Sequence, residues 1–196
     1  NRGTPSSPMT ETTFTTPPES FLTASSAAGI HFEPEDIPRI GRYLELLYDA
    51  NSRMNLTGIR DPEEAWFRHV LDSLTLLPWV LEMREKIGEN TRLIDVGSGG
   101  GLPGMILACV QPDLDITLLE TTGKKARFLA ETAEELGLER VQVANDRAET
   151  MGRDPVQRES YHLVTARAVG PLNVLAEYAV PLAHPDGLVL AIKGAK

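Results

Sequence analysis

Arg92-Leu93-Ile94-Asp95-Val96-Gly97-Ser98-Gly99-Gly100-Gly101-Leu102-Pro103-Gly104 is the stretch on which the architecture turns. Leu93, Ile94 and Val96 form a short apolar run that suits a strand buried on both faces of a parallel sheet. The run ends in glycines, which reach positive φ and leave no Cβ between the backbone and a ligand. Pro103 then suits the first turn of a following helix. Strand, glycine turn and helix in that order aim backbone N–H groups at the carboxyl end of the strand, where doubly wound folds bind nucleotide-like ligands.

Two patterns overlap in this turn. Gly99-x-Gly101-x-x-Gly104 fits the dinucleotide fingerprint, and Asp95-x-Gly97-x-Gly99-x-Gly101 fits the acidic loop of S-adenosylmethionine (SAM) methyltransferases. A carboxylate at Asp95 repels a pyrophosphate but suits the cationic methionine end of SAM, directly or through water. SAM is therefore the expected cofactor, with Asp95, Gly97, Gly99 and Gly101 at its site. Glu120 stands about twenty residues further on, at the end of the next strand, where an acid accepts hydrogen bonds from a ribose diol. That spacing serves NAD equally well. An oxidoreductase using Gly99, Gly101, Gly104 and Glu120 is the alternative.

Beyond the turn, apolar runs alternate with helical periodicity. The pattern predicts strands over 115–119, 141–144, 161–166 and 187–192, and helices over 105–110, 123–136 and 171–180. Such alternation gives a parallel sheet with right-handed crossovers and helices on both faces, an α/β, Rossmann-like architecture. Asp95, Glu120, residues 145–149 and Arg167 then share the carboxyl edge. Residues 145–149, Asn-Asp-Arg-Ala-Glu, lie at the level expected for an adenine.

The 196 residues, 41% hydrophobic and 24% charged, suffice for one core with a small helical addition. No apolar run approaches a membrane span and no secretory layout opens the chain, so the expected location is the cytoplasm. The single cysteine, Cys109, lies on an apolar helix face and reads as core rather than nucleophile. A net charge of −9 argues against general nucleic-acid binding and leaves only local basic patches for it.

Residues 1–29, rich in Ser, Thr and Pro, read as a mobile tail. An N-terminal helical extension spans 30–90. Within it, Ile37, Ile40, Tyr43, Leu44, Leu47 and Tyr48 recur at the spacing of one amphipathic face. Asp61, Pro62 and Glu64 then announce a second helix with a near-reciprocal capping box. The SAM-binding core covers 91–196.

With these pieces placed, the chain resembles the RsmG family, also called GidB, of bacterial 16S rRNA guanine-N7 methyltransferases. The resemblance rests on Asn55-Leu56-Thr57-x-Ile59, His69-Val70-Leu71-Asp72-Ser73, the loop from Asp95 to Gly104, the run from Lys124 to Leu129, and Arg167-Ala168. It implies a SAM-dependent Rossmann-like class I methyltransferase that modifies a guanine in the decoding-region loop of the small ribosomal subunit, acting as a monomer. It places Gly97, Leu102, Ala148, Glu149 and Arg167 at the cofactor. Arg167 is also the candidate catalytic group, lending positive charge or hydrogen bonds to the purine. Arg68, His69, Lys124, Lys125 and Lys193 are candidates for RNA contact. The family's usual antiparallel hairpin would follow Lys196. A noncatalytic ribosome-binding protein with an adenosine pocket is the other alternative.

Overall fold

The computed structural model describes residues 13–167 and 171–192. Its centre is a five-stranded sheet of β1 (Arg92–Val96), β2 (Asp115–Leu119), β3 (Val141–Ala144), β4 (Tyr161–Arg167) and β5 (Ala183–Ile192). The spatial order is β3-β2-β1-β4-β5, and every neighbouring pair is parallel. The chain thus winds outward from β1 in both directions, which opens a crevice between the carboxyl ends of β1 and β4. All five strands lie where the alternation predicts them. β5 starts earlier than expected, at Ala183 rather than 187.

Side chains divide by the strand period of two. Leu93, Ile116, Leu118 and Leu163 face one apolar core, while Ile94, Val96, Val164 and Ala166 face the other. The first core lies under α2 (Asp36–Met54), α6 (Gly104–Val110) and α7 (Gly123–Glu135); the second lies under α8 (Ala148–Met151) and α9 (Leu172–Ala179). Ile40, Leu44, Leu47 and Trp66 from the N-terminal helices belong to the same cluster as Leu93 and Leu163. The extension and the sheet therefore share one interior.

The mobile tail expected over residues 1–29 is corrected for its described part, residues 13–29; residues 1–12 lie outside the described residues. Glu19–Ala27 forms a helix, α1, whose Phe21 is fully buried with its ring 5.0 Å from that of Trp66. Just ahead of it, Phe14 stacks on Tyr48 at 3.8 Å and the Trp66 indole N–H donates to the Thr13 carbonyl at 3.0 Å. Average composition misses this because two well-placed aromatic rings bury enough surface to order a Ser/Thr-rich segment.

The second predicted helix is present but internally varied. Asp61 caps α3 (Pro62–Ala65), accepting from the Glu64 N–H at 2.8 Å. The box is not reciprocal, because the Glu64 carboxylate instead pairs with Arg68 at 2.8 Å, one turn on. The backbone then widens into a π-helical run, Trp66–Leu71, before α4 (Asp72–Leu74) and α5 (Leu77–Ile87). No described helix is long and apolar enough to cross a membrane.

Candidate cofactor-binding site

The glycine turn has the backbone that the sequence demands. Gly97, Gly99 and Gly101 have φ of +69°, +57° and +106°, a region that L side chains rarely enter. Gly104 is excluded from carrying a side chain for a different reason: a Cβ there would meet the Asp95 carboxylate at 2.8 Å and the end of Leu118. The Gly97 and Ser98 amides both donate to the Leu119 carbonyl, at 2.9 and 3.0 Å, which ties the turn to the end of β2.

The two acids brace this turn from beneath. Asp95 is completely buried; one carboxylate oxygen accepts from the Gly104 N–H at 3.1 Å and the other from the Thr165 hydroxyl at 2.9 Å. Burial pushes its pKa up to about 6, against the pull of those hydrogen bonds. Asp95 thus does not line the cavity over Gly97. Its strand position points it at the α6 side of the sheet, where it holds β1, β4 and the helix start together. Glu120 is also nearly buried, with its two oxygens accepting from the Gly99 and Thr122 amides, each at 2.8 Å.

A cavity of about 330 Å³ opens at the carboxyl ends of β1, β2 and β3. Gly97 and Val96 form one wall, Leu119 and Thr121 another, and Asp146, Ala148 and Glu149 a third. Its size and largely apolar lining with a few polar groups suit a nucleoside-sized ligand. Tyr178 closes it from α9. Gly97, Ala148 and Glu149 are therefore brought together as the sequence implies, while Tyr178, on the helix after β4, had no motif to mark it. Leu102 packs on the apolar core beside the turn and does not line this cavity.

Arg167 also lies outside the cavity, on its far side. Its Nη2 donates to the Arg68 carbonyl at 2.6 Å, and burial lowers the guanidinium pKa from its ordinary value. His69, expected at an RNA surface, is instead 4% exposed, with both ring nitrogens engaged within the protein. Its apolar helix face turns it inward. Arg68 is exposed and paired to Glu64; Lys124 is exposed and Lys125 partly so at the start of α7. Lys193 and Ala168 lie outside the described residues.

One further residue joins the site from the extension. The buried Tyr43 of α2 donates its hydroxyl to the Gly100 carbonyl at 2.8 Å, which clamps the turn from the side opposite Glu120. Helical spacing marks Tyr43 as inward, but nothing in the sequence pairs it with a loop almost sixty residues away. Cys109 is buried, and burial raises its thiol pKa to about 12, as befits a core residue.

A family model described as rRNA small subunit methyltransferase G, GidB, matches residues 36–196. A ribosomal RNA small subunit methyltransferase G from Sorangium cellulosum is 48% identical over 179 residues, covering 91% of this chain and 73% of the relative. Its counterpart from Moorella thermoacetica is 42% identical over 170 residues, covering 87% and 69%. Among solved structures, a methyltransferase from Geobacter sulfurreducens superposes over 87% of this chain and 80% of its own with a TM-score of 0.52. At 10% identity that likeness concerns the fold alone, a Rossmann-like methyltransferase sheet.

Proposed function

We propose, for a chain that belongs to the GidB family and is therefore a SAM-dependent methyltransferase of small-subunit ribosomal RNA, that the methyl acceptor is N7 of a guanine in the decoding-region loop of 16S rRNA. The observation that carries the site is the cavity over Gly97, a glycine at positive φ, walled by Ala148 and Glu149. The relatives are methyltransferases by name, which removes the oxidoreductase alternative.

SAM, when bound, supplies an activated methyl group on a sulfonium. The glycine turn would hold it through Gly97, which lines the cavity, with Gly99 and Gly101 shaping the turn and Leu102 beside it. Ala148 and Glu149 border the adenosine, and Tyr178 covers it. Glu120 keeps one lone pair per oxygen for the ribose while its amide bonds hold the turn. Asp95 acts behind the wall as a brace.

On the acceptor side the chain has a simple task. Guanine N7 carries a free lone pair on its major-groove edge, so no proton has to leave before attack and no general base is needed. Positioning within about 3 Å and in line then dominates the rate. Arg167, at the carboxyl end of β4 and outside the cofactor cavity, would donate hydrogen bonds that hold the purine in place for attack. Lys124, exposed, Lys125, partly exposed, and Arg68, exposed beside Glu64, are the candidates for phosphate contact.

The chain acts in the cytoplasm as a monomer. Incubation of undermodified small subunits with labelled SAM tests the function. Label in 16S rRNA, with strand scission at one guanine after borohydride and aniline, is expected; label on a base other than guanine, or none, refutes it.

A further inference from the structure

His69 is withdrawn from solvent, yet it touches the one cation that the proposed mechanism uses. Its Nδ1 lies 3.4 Å from Arg167 Nη1, and on the other side of the ring its Nε2 lies 2.8 Å from the Thr57 hydroxyl. A guanidinium has only donors, so the nitrogen that faces it carries a lone pair. In a neutral ring the proton then sits on Nε2 and is donated to Thr57.

Thr57 is itself fixed in place. Its N–H donates to Asn51 Oδ1 at 2.8 Å, its carbonyl accepts from Asn51 Nδ2 at 3.0 Å, and its hydroxyl accepts from the Ile59 N–H at 3.1 Å. Asn51 belongs to the last turn of α2 and is buried. The Arg167 guanidinium thus has two anchors on the π-helical run, the Arg68 carbonyl and the His69 ring, and the ring is backed by α2 through Thr57. π-helical runs shift the backbone ladder and recur at functional sites. Here the run presents a carbonyl and an imidazole, from adjacent residues, to one side chain.

We propose that His69 is a positioning residue: as the neutral Nε2–H tautomer it links Thr57 to Arg167 and fixes the guanidinium at the carboxyl end of β4. This rests on the reading of Arg167 as the group beside the methyl acceptor. The electrostatics agree with the geometry. Burial first, and the Arg167 charge second, push the imidazole pKa down to about 4. Arg68 on the same run acts both ways, its backbone carbonyl beside the ring favouring protonation and its charge opposing it by less, while Tyr48, with its ring 6.5 Å away on α2, adds no charge.

Two measurements test this. In the full wild-type chain carrying 15N-histidine, the His69 resonances should report unprotonated Nδ1 and protonated Nε2 between about pH 6 and 8. An imidazolium or an Nδ1–H tautomer overturns the proposal. In kinetics, His69→Phe keeps a ring but removes both nitrogens. It should lower kcat by about 10- to 100-fold, the scale of a misplaced contact, and leave KM for SAM and its calorimetric Kd within about twofold. With Arg167→Ala the losses should not add, since His69 acts only through that side chain. Additive losses, or a matching loss of SAM affinity, overturn the proposal. Should the wild-type chain methylate no rRNA, the functional reading fails instead, and the tautomer measurement still decides whether His69 orients Arg167.

Discussion

Gly97 shows how much one residue can decide. At φ +69° any L side chain is strained, by about 1–2 kcal/mol, and its first carbon enters the cavity wall. Gly97→Val should therefore reduce SAM affinity at least about 100-fold by calorimetry, and wild-type affinity would contradict the geometry. Asp95 and His69 make opposite demands on pH. Burial raises the Asp95 pKa to about 6, so the stability it gives is complete below its unfolded value and is lost as pH rises through about 6. His69, lowered to about 4, gives stability that is complete above its unfolded value and is lost as pH falls through about 4. Asp95→Asn removes the first trend and leaves the second unopposed. Its Tm should gain more than that of the wild type between about pH 4 and 6, and parallel Tm curves would refute the assignment.

At the level of elements, the strands and the glycine turn were legible because their signals are local. A short apolar run, a glycine cluster and a capping Asp each act within a few residues, and Asp61 caps its helix as read. What escaped depends on partners far away in sequence. Phe21 orders α1 only because Trp66 is there to receive it, and Tyr43 matters to the turn only because α2 crosses it. Asp95 was read as facing the ligand because its spacing is silent about which side of β1 it occupies. The π-helical run left no trace in periodicity. Phe21→Ala should cost about 3 kcal/mol, measured by urea unfolding, as expected for a ring removed from a filled core. A loss below about 0.5 kcal/mol, typical of an exposed site, would return residues 19–27 to the status of a tail.

Over the whole molecule, acidity and an RNA substrate stand in tension. A net charge of −9 gives no long-range attraction to phosphate, so docking has to rest on local cations, for which Arg68, Lys124 and Lys125 are the proposed candidates. Several arginines are paired with acids of the chain: Arg42 with Glu135 and Glu45, Arg68 with Glu64, Arg84 with Asp113, and Arg140 with Asp115. Helix α2 has a wider consequence. Tyr43 on it grips the glycine turn, and Asn51, about 12 Å further along the same axis, holds the segment that carries His69. One stiff rod thus holds both the glycine turn, the proposed seat of the methyl donor, and the segment proposed to aim Arg167 at the base. Any tilt of it misaligns both partners together, so natural variation along this helix should surface as joint defects in capture and transfer.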